Sequence, residues 1–239
     1  MRRLLILALI AVAGCATALP PSNHVRSIPA VKVAEEVVSQ SVGVESWAKD
    51  KSNGMGTGVV LESGYVLSCA HLFLKEIDKP ELKPGLIGAK ITVHRWYRGK
   101  HSETKFDATI EKIDHVYDLA LLRVKGDKNV FPNAVEFYEG ELPIGTPIYS
   151  VGCPISEGYA MTLASGIVSH PSRENGKFFQ GDIAVTGGCS GGGVFLQSDG
   201  RYVGQQQRKQ TENMALICPT SKIREWARNA GVEPLIFPR

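Results

Sequence analysis

The chain carries little excess charge and few cysteines, and it contains no repeat and no low-complexity tract. Its 239 residues include 27 Lys and Arg against 24 Asp and Glu, a formal net charge of +3, which is not the clustered basic surface typical of nucleic-acid binding. The six histidines have no HExxH spacing and the five cysteines no CxxC spacing, so the sequence gives no support to a metal site. We therefore expect a protein that does not bind nucleic acid and that uses neither a metal nor an organic cofactor.

One apolar run, near the start of the chain, has the features of an export signal. Arg2 and Arg3 precede the apolar residues 4–13, a run too short to cross a bilayer as a helix. The run ends just before Cys15, in a sequence that resembles the bacterial lipobox, where the cysteine is lipid-modified and becomes the new N-terminus. We predict a lipoprotein-type signal peptide at 1–14, lipidation of this cysteine and attachment to a membrane of the cell envelope.

A second cleavage pattern directly follows this cysteine. Ala16, Thr17 and Ala18 form an A-x-A sequence, and ordinary cleavage there releases a soluble periplasmic or secreted protein. Both alternatives stay open, although the position of the cysteine after the apolar run favours lipidation. In either case we expect 15–40, with its three prolines, to be a tether and lead-in segment before a folded domain at 41–239.

The most informative segment is the run Gly-Gly-Cys-Ser-Gly-Gly-Gly at 187–193. Serine becomes an effective nucleophile only with a base in hydrogen-bond reach, a group that orients the base, and amide donors for an oxyanion. Because glycine adopts turn conformations that other residues avoid, this run can direct the amides of Gly188 and Ser190 at one point. A flexible glycine loop would look similar, so the interpretation depends on the rest of the chain.

Two residues upstream have the surroundings expected of a base and its orienting acid. His71 follows three small residues at the end of a strand-like segment, where an imidazole can face a cleft. Asp118 precedes the apolar segment 119–124, and a carboxylate that enters a buried strand needs a partner such as an imidazole N–H. Each residue alone is more often structural, but the ordered set His71, Asp118 and Ser190 predicts a nucleophilic triad.

With these residues the chain resembles the chymotrypsin-like serine proteases, and within them the bacterial HtrA-type branch. The resemblance runs from about Ser41 to Ala230 and rests on six segments in the order of that family. These are Gly54–Val60, Ser68–His71, Asp118–Leu122, Val151–Pro154, Ser165–Ser169 and Gly188–Gly192. It implies an all-β fold of two packed six-stranded antiparallel β-barrels, at about 41–128 and about 132–218, with a C-terminal α-helix at about 220–230.

The resemblance also implies a role for each residue of the triad. His71 is expected to act as general base and then as general acid, Asp118 to fix the tautomer of the imidazole, and Ser190 to attack the substrate. The backbone amides of Gly188 and Ser190 are expected to form the oxyanion hole. The implied activity is that of a serine endopeptidase, which cleaves polypeptide substrates through an acyl-enzyme.

Other function classes share parts of this sequence pattern. A catalytically inactive pseudoprotease could keep the fold and bind a protein partner at the cell envelope, with Cys189 distorting the oxyanion turn. An esterase-type nucleophile elbow needs a helix after the serine, whereas 194–196 is typical of a strand. The glycine-rich segment 54–58 is likewise followed by a strand, and a phosphate-binding loop must open a helix.

The chain departs from the HtrA-type pattern at Cys153 and Cys189, where that branch usually has asparagine. Two alternatives remain open, a disulfide that constrains the oxyanion loop in an oxidising compartment, or two buried free thiols. Few residues follow the predicted helix, so the PDZ module common in that branch is not expected. The oligomeric state is not predicted.

The same resemblance gives an expectation about substrate specificity. Ala184 is expected near the base of the primary pocket, and Gln205, Gln206 and Gln207 on the strand that pairs with substrate. Because no acid lies at that base, we expect selection of a small or medium apolar side chain rather than of Lys or Arg. The alternative is that these polar residues occupy ordinary exposed positions of a strand.

Secondary structure is predicted to be mostly strand. The exception is the C-terminal helix, where Ile223, Trp226 and Ala227 recur at helical spacing before a stop at Gly231. Strand-like segments in the second half of the chain include 134–138 and 182–186.

Overall fold

The structure is a computed structural model that describes residues 30–238, apart from 49–50, 77–78, 98–99, 127–130, 132–133, 154–159 and 212. The predicted signal peptide at 1–14, Cys15 and the first part of the tether lie outside the described residues. Within the described part of the chain, no helix has the length and apolar character needed to cross a membrane.

The first six strands form a closed antiparallel barrel. They are β1 (Ser41–Ala48), β2 (Lys51–Leu61), β3 (Tyr65–Ser68), β4 (Leu86–Tyr97), β5 (Lys100–Asp114) and β6 (Leu119–Val124). Their order around the barrel is β1-β2-β3-β6-β5-β4, and β1 closes it by pairing with both β2 and β4. Closure leaves no strand with an unpaired edge.

The next six strands form a second closed antiparallel barrel, which confirms the predicted fold class. They are β7 (Pro147–Gly152), β8 (Thr162–Arg173), β9 (Phe178–Gly181), β10 (Gly193–Leu196), β11 (Tyr202–Thr211) and β12 (Met214–Pro219). Their order is β10-β11-β12-β9-β8-β7, with β7 and β10 paired to close the ring.

Two strand predictions in this half of the chain are wrong. Segment 134–138 contributes only an isolated bridge, from Phe137 to Tyr202. Segment 182–186 follows the end of β9 and joins no sheet. There Ile183 is buried in the core of the second barrel while its neighbours are exposed, so burial alternates as in a strand although no ladder is formed.

The central strand β6 is buried on both faces because it lies between two cores. Leu119 and Leu121 belong to a core that also contains residues of the second barrel. Ala120 and Leu122, which point the opposite way, belong to the core of the first barrel. This burial explains why segment 119–124 is an almost continuous apolar run. Asp118, the residue before it, lies where the two barrels meet.

Helix α1 (Ala30–Ser39) lies within the segment 15–40 and is not foreseen by the sequence pattern. Its Val33 and Val37 are fully buried and belong to the core that both barrels share, whereas Val31 is exposed. Val33 and Val37, with the partly buried Val38 beside them, anchor this helix. So few apolar positions give too little periodicity to identify it from the sequence.

The C-terminal helix is confirmed as α2 (Thr220–Ala230). Ile223 and Trp226 are buried in the shared core, so the predicted apolar stripe packs as expected. Gly231 ends the helix in the left-handed conformation, with φ of 73°, which glycine adopts without strain. A short helix α3 (Glu233–Ile236) follows.

Candidate active site

The pairing of β3 with β6 brings His71 and Asp118 together. His71 lies in a 3₁₀ turn just after β3, Asp118 lies just before β6, and Ser68 pairs with Ala120 across the antiparallel ladder. The imidazole Nδ1 lies 2.9 Å from Asp118 Oδ2 and 3.1 Å from Oδ1. The backbone N–H of His71 also donates to Oδ1, at 2.9 Å. The carboxylate therefore fixes both the ring and its backbone.

Asp118 is held in a buried and conformationally unusual position. Its side chain is 1% exposed, its φ is 53°, and this left-handed region is rare for residues other than glycine. The side-chain amide of Gln207, on β11, donates to the carbonyl of Tyr117 at 2.7 Å and to that of Asp118 at 3.1 Å. The second barrel thus supports the turn that presents the acid.

The buried carboxylate also acts on two neighbouring thiols. Burial raises the pKa of Cys218 to about 12, and the charge of Asp118 adds to this rise. The same two causes, burial first and Asp118 second, hold the pKa of Cys69 well above its usual range. A neutral thiol can lie against a carboxylate without adding a second buried charge.

The turn that carries Ser190 is clamped between the two barrels. From β2, the amide of Thr57 donates to the Ser190 carbonyl at 2.8 Å and its hydroxyl donates to the Gly188 carbonyl at 2.8 Å. From the other side, the Gly191 amide donates to the carbonyl of Gln206 on β11, at 2.9 Å. The sequence therefore builds a turn whose position depends on both barrels.

This serine turn packs against the residues that lead into His71. A Cβ atom placed on Gly191 would lie 2.6 Å from the Ser68 hydroxyl and 3.1 Å from the Cys69 amide nitrogen. The thiol of Cys69 in turn donates to the Gln206 carbonyl at 3.4 Å. The predicted nucleophile and the predicted base thus belong to segments in direct contact, and the imidazole, 22% exposed, remains accessible.

Two backbone amides of the serine turn are available as donors. Neither the Gly188 nor the Ser190 amide donates a hydrogen bond to another residue in the described part of the chain. Gly188 has φ of 94°, a conformation that requires glycine. The Thr57 hydroxyl, which binds the Gly188 carbonyl, also accepts from the amide of Cys153 at 2.9 Å.

The sequence gives no sign of the role of Thr57, and it predicts Gln207 on the strand that pairs with substrate rather than against the turn of Asp118. Both residues lie in segments that the sequence pattern singles out, the first between two glycines and the second among the three consecutive glutamines. Their partners are far away in sequence, so no local signal identifies the contacts.

The residues predicted to shape the substrate pocket divide into two groups. Ala184 is exposed, whereas Gln205, Gln206 and Gln207 are buried, so the glutamines are not an ordinary exposed strand face. Gln205 donates to a carbonyl of the serine turn at 3.3 Å, and Gln206 accepts from the hydroxyl of Ser150 at 2.9 Å. Their contribution to specificity stays a prediction.

Cys153 and Cys189 are free, buried thiols in the structure, and their pairing in an oxidising compartment stays a prediction. The two residues lie close together, since a Cβ atom on Gly152 would be 2.8 Å from the Cys189 sulfur. Burial raises the pKa of Cys153, and disulfide formation needs a thiolate. In the folded chain, burial therefore disfavours the reactive thiolate form of Cys153.

We expect the buried thiols to resist alkylation in the folded protein. Because burial raises the pKa of Cys69, Cys153 and Cys218, iodoacetamide at neutral pH should leave them unmodified until guanidinium unfolds the chain. Intact and peptide mass spectrometry without reductant measures both states. A peptide pair joined through Cys153 and Cys189, lighter by two hydrogen atoms, would contradict the free-thiol state.

Replacement of Gly191 by Ala should disrupt the serine turn. Its φ is 84°, and a Cβ atom there would collide with the Thr57 carbonyl oxygen. We expect kcat of the predicted peptide hydrolysis to fall by about 100-fold or more, the size of effect seen when an oxyanion donor is lost. Steady-state kinetics measures the effect, and circular dichroism checks that the barrels stay folded.

Gly187→Ala provides a matched control in the same glycine-rich run. A Cβ atom at Gly187 meets nothing within 4 Å, and the residue is exposed. The control should therefore keep a rate close to that of the parent chain. Equal losses in Gly187→Ala and Gly191→Ala would show that the rate depends on glycine flexibility rather than on the close contact with Thr57.

Two closed antiparallel barrels, with a His–Asp pair on the first and a glycine-rich serine turn on the second, define the chymotrypsin-like class of fold. The trypsin-like peptidase domain family matches residues 56–204, which is more than half of the chain. The chain belongs to this family.

Its relatives include HtrA-type serine proteases. Serine protease HTRA1B of Danio rerio is 27% identical over 211 residues, which cover 81% of this chain and 40% of that protein. Serine protease Do-like HtrA of Lactococcus lactis is 34% identical over 118 residues, which cover 45% of this chain and 28% of that protein. The chain thus spans less than half the length of these curated relatives.

A solved structure shows the same fold. The crystal structure of the serine endoprotease from Yersinia pestis superposes with a TM-score of 0.66 and covers 86% of this chain and 67% of its own. At 19% identity, the likeness concerns the fold alone.

Proposed function

We propose that the chain is a serine endopeptidase in which His71, Asp118 and Ser190 form the catalytic triad. The observation that carries this proposal is the buried Asp118 carboxylate 2.9 Å from His71 Nδ1, beside a serine turn clamped by both barrels. Acyl transfer by serine requires an oriented base next to the nucleophile and amide donors for the oxyanion. Membership of the trypsin-like peptidase domain family supports the same conclusion.

The contacts of His71 support one order of proton transfers in the proposed mechanism. Nδ1 of His71 is occupied by Asp118, which leaves Nε2 to take the proton from the Ser190 hydroxyl as its oxygen attacks the scissile carbonyl carbon. The amides of Gly188 and Ser190 stabilise the resulting oxyanion. His71 then gives the proton to the leaving amine, and a water molecule, activated by the same nitrogen, hydrolyses the acyl-enzyme.

The proposed substrates are polypeptides with a small or medium apolar side chain before the scissile bond. This specificity rests on the predicted position of Ala184 at the pocket and on the absence of an acid there. A peptide library with one varied position, read by mass spectrometry of the cleaved products, tests it. Preferential cleavage after Lys or Arg would overturn the pocket assignment and leave the triad untouched.

The proposed enzyme is exported and anchored to a membrane of the cell envelope through Cys15. Arg2 and Arg3 before the apolar residues 4–13, with the cysteine directly after them, support this location. Mass spectrometry of the mature N-terminus, together with the membrane content of Cys15→Ser, tests it. A soluble product that begins after Ala18 would show that the other cleavage site is used.

A fluorophosphonate probe tests the triad directly, because it forms an adduct only with an activated serine. Labelling of the purified chain, followed by peptide mapping, should place the adduct on Ser190 and no other serine. A folded protein that hydrolyses no peptide and takes up no probe would instead support the pseudoprotease alternative, in which the cleft binds a protein partner.

A further inference from the structure

Three side chains that commonly bind metals converge on one face of the β4–β5 hairpin. His94, on β4, pairs directly with Glu103 on β5. His101 precedes Glu103 by two positions on the same strand, and residues two apart in a strand share a face. Strand register therefore brings together residues whose spacing in the sequence shows no ligand pattern.

The three potential ligand atoms have the separations that a small metal ion imposes. His94 Nδ1 lies 3.1 Å from His101 Nε2 and 3.4 Å from Glu103 Oε1, and His101 Nε2 lies 3.8 Å from the same carboxylate oxygen. A tetrahedral Zn²⁺ with ligands at about 2.1 Å separates those ligands by about 3.4 Å. The observed distances lie on both sides of this value, so small side-chain shifts suffice.

The surroundings hold the His94 ring in place and leave the other two side chains open to solvent. The His94 side chain is 2% exposed, and its ring stacks on that of His101, with centroids 5.3 Å apart and planes inclined by 6°. His101 and Glu103 are 38% and 29% exposed. A metal could therefore enter from the side of these two residues and meet a buried ligand already in position.

We propose that this hairpin binds Zn²⁺ through His94 Nδ1, His101 Nε2 and Glu103 Oε1. Two imidazoles and one carboxylate are a ligand set that zinc uses in proteins, with water at the fourth position. The site lies outside the proposed triad, and its test does not depend on peptidase activity.

A second group of potential ligands, Cys69, His71 and Asp118, is a poorer zinc site. Its Asp118 carboxylate is buried, 1% exposed, and also accepts from the backbone N–H of His71, so less of it is open to a metal than at the exposed Glu103. The Cys69 thiol is buried and its pKa is raised well above its usual range, whereas metal binding needs the thiolate. This group is nevertheless the natural rival, and the experiment must separate the two.

Isothermal titration of the tag-free, metal-free chain with ZnCl₂ tests the proposal. We expect one Zn²⁺ per chain, with binding weakened by more than about 100-fold in both His101→Ala and Glu103→Ala. Both residues are exposed, so these variants should keep the fold, which circular dichroism verifies. Co²⁺ in place of Zn²⁺ should give the visible absorption of a tetrahedral site in the parent chain and lose it in both variants.

Two further variants locate the site. His170→Gln removes a histidine on β8 that accepts a hydrogen bond from the Ser172 amide, and His71→Ala removes the histidine of the rival group. Zn²⁺ affinity should be unchanged in both. The proposal is overturned if the parent chain does not bind Zn²⁺, if His101→Ala and Glu103→Ala bind it as tightly as the parent, or if His71→Ala abolishes binding.

Discussion

Replacement of Ser190 by Ala is expected to abolish peptide hydrolysis, with a loss in kcat of about 10⁶-fold. The substitution removes the only atom that can form the acyl-enzyme in the proposed mechanism. It leaves the amide of residue 190 and the contacts from Thr57 in place, because these involve the backbone of the turn. Hydrolysis of a fluorogenic peptide and labelling by a fluorophosphonate probe measure the loss.

The matched control is Ser198→Ala. Ser198 is an exposed serine in the turn between β10 and β11, outside the serine turn, so its removal should leave both the rate and the labelling unchanged. A Ser190→Ala protein that still hydrolyses peptide at a rate near that of the parent would exclude Ser190 as the nucleophile. Labelling that persists at another serine would identify the residue to examine instead.

The two-barrel architecture follows from the family resemblance, and the motifs that carry that resemblance are local in the sequence. Segment 119–124 is apolar on both faces, and it proves to be the strand between the two cores. Asp118 and His71 stand at the ends of such strands, so one antiparallel pairing, β3 with β6, is enough to bring them together. His71 and Asp118 come first in the chain and lie on the first barrel, whereas Ser190 comes later and lies on the second.

The sequence cannot predict features that depend on distant contacts. Thr57 reaches the Gly188 carbonyl across 131 positions, and Gln207 reaches Tyr117 across 90. Neither residue type by itself indicates such a partner. Segment 182–186 is misread for the same reason. Its residues alternate between buried and exposed as in a strand, but they pair with no other strand. Strand pairing depends on neighbours that the local sequence does not specify.

The histidine cluster of the β4–β5 hairpin shows a further limit of spacing arguments. Metal motifs such as HExxH reflect the geometry of a single helix, whereas His94 and Glu103 meet only through the register of two strands. The sequence spacing therefore gives no sign of a metal site in a chain that carries a candidate His₂Glu set. To predict this site, one would need the register in which β4 pairs with β5, which the spacing of the residues in the sequence does not give.

Replacement of Asp118 by Asn is expected to lower kcat by about 10⁴-fold while the protein stays folded. The carboxylate accepts from both Nδ1 and the backbone N–H of His71. An amide keeps one acceptor oxygen and turns an N–H toward the ring, which favours the imidazole tautomer that carries its proton on Nε2 and cannot act as base. The kcat of Asp118→Asn against that of the parent chain, with active sites counted by fluorophosphonate labelling, measures the effect.

Asp114→Asn is the matched control, because it makes the same chemical change in the same loop. Asp114 accepts from the amides of Val116 and Tyr117, at 2.8 and 3.1 Å, and the amide oxygen of asparagine can accept both bonds. We therefore expect this variant to keep nearly the full rate. If Asp118→Asn also kept it, Asp118 would serve only to hold the turn. If both variants lost activity equally, the shape of the 114–118 loop, rather than the charge facing His71, would be what the rate depends on.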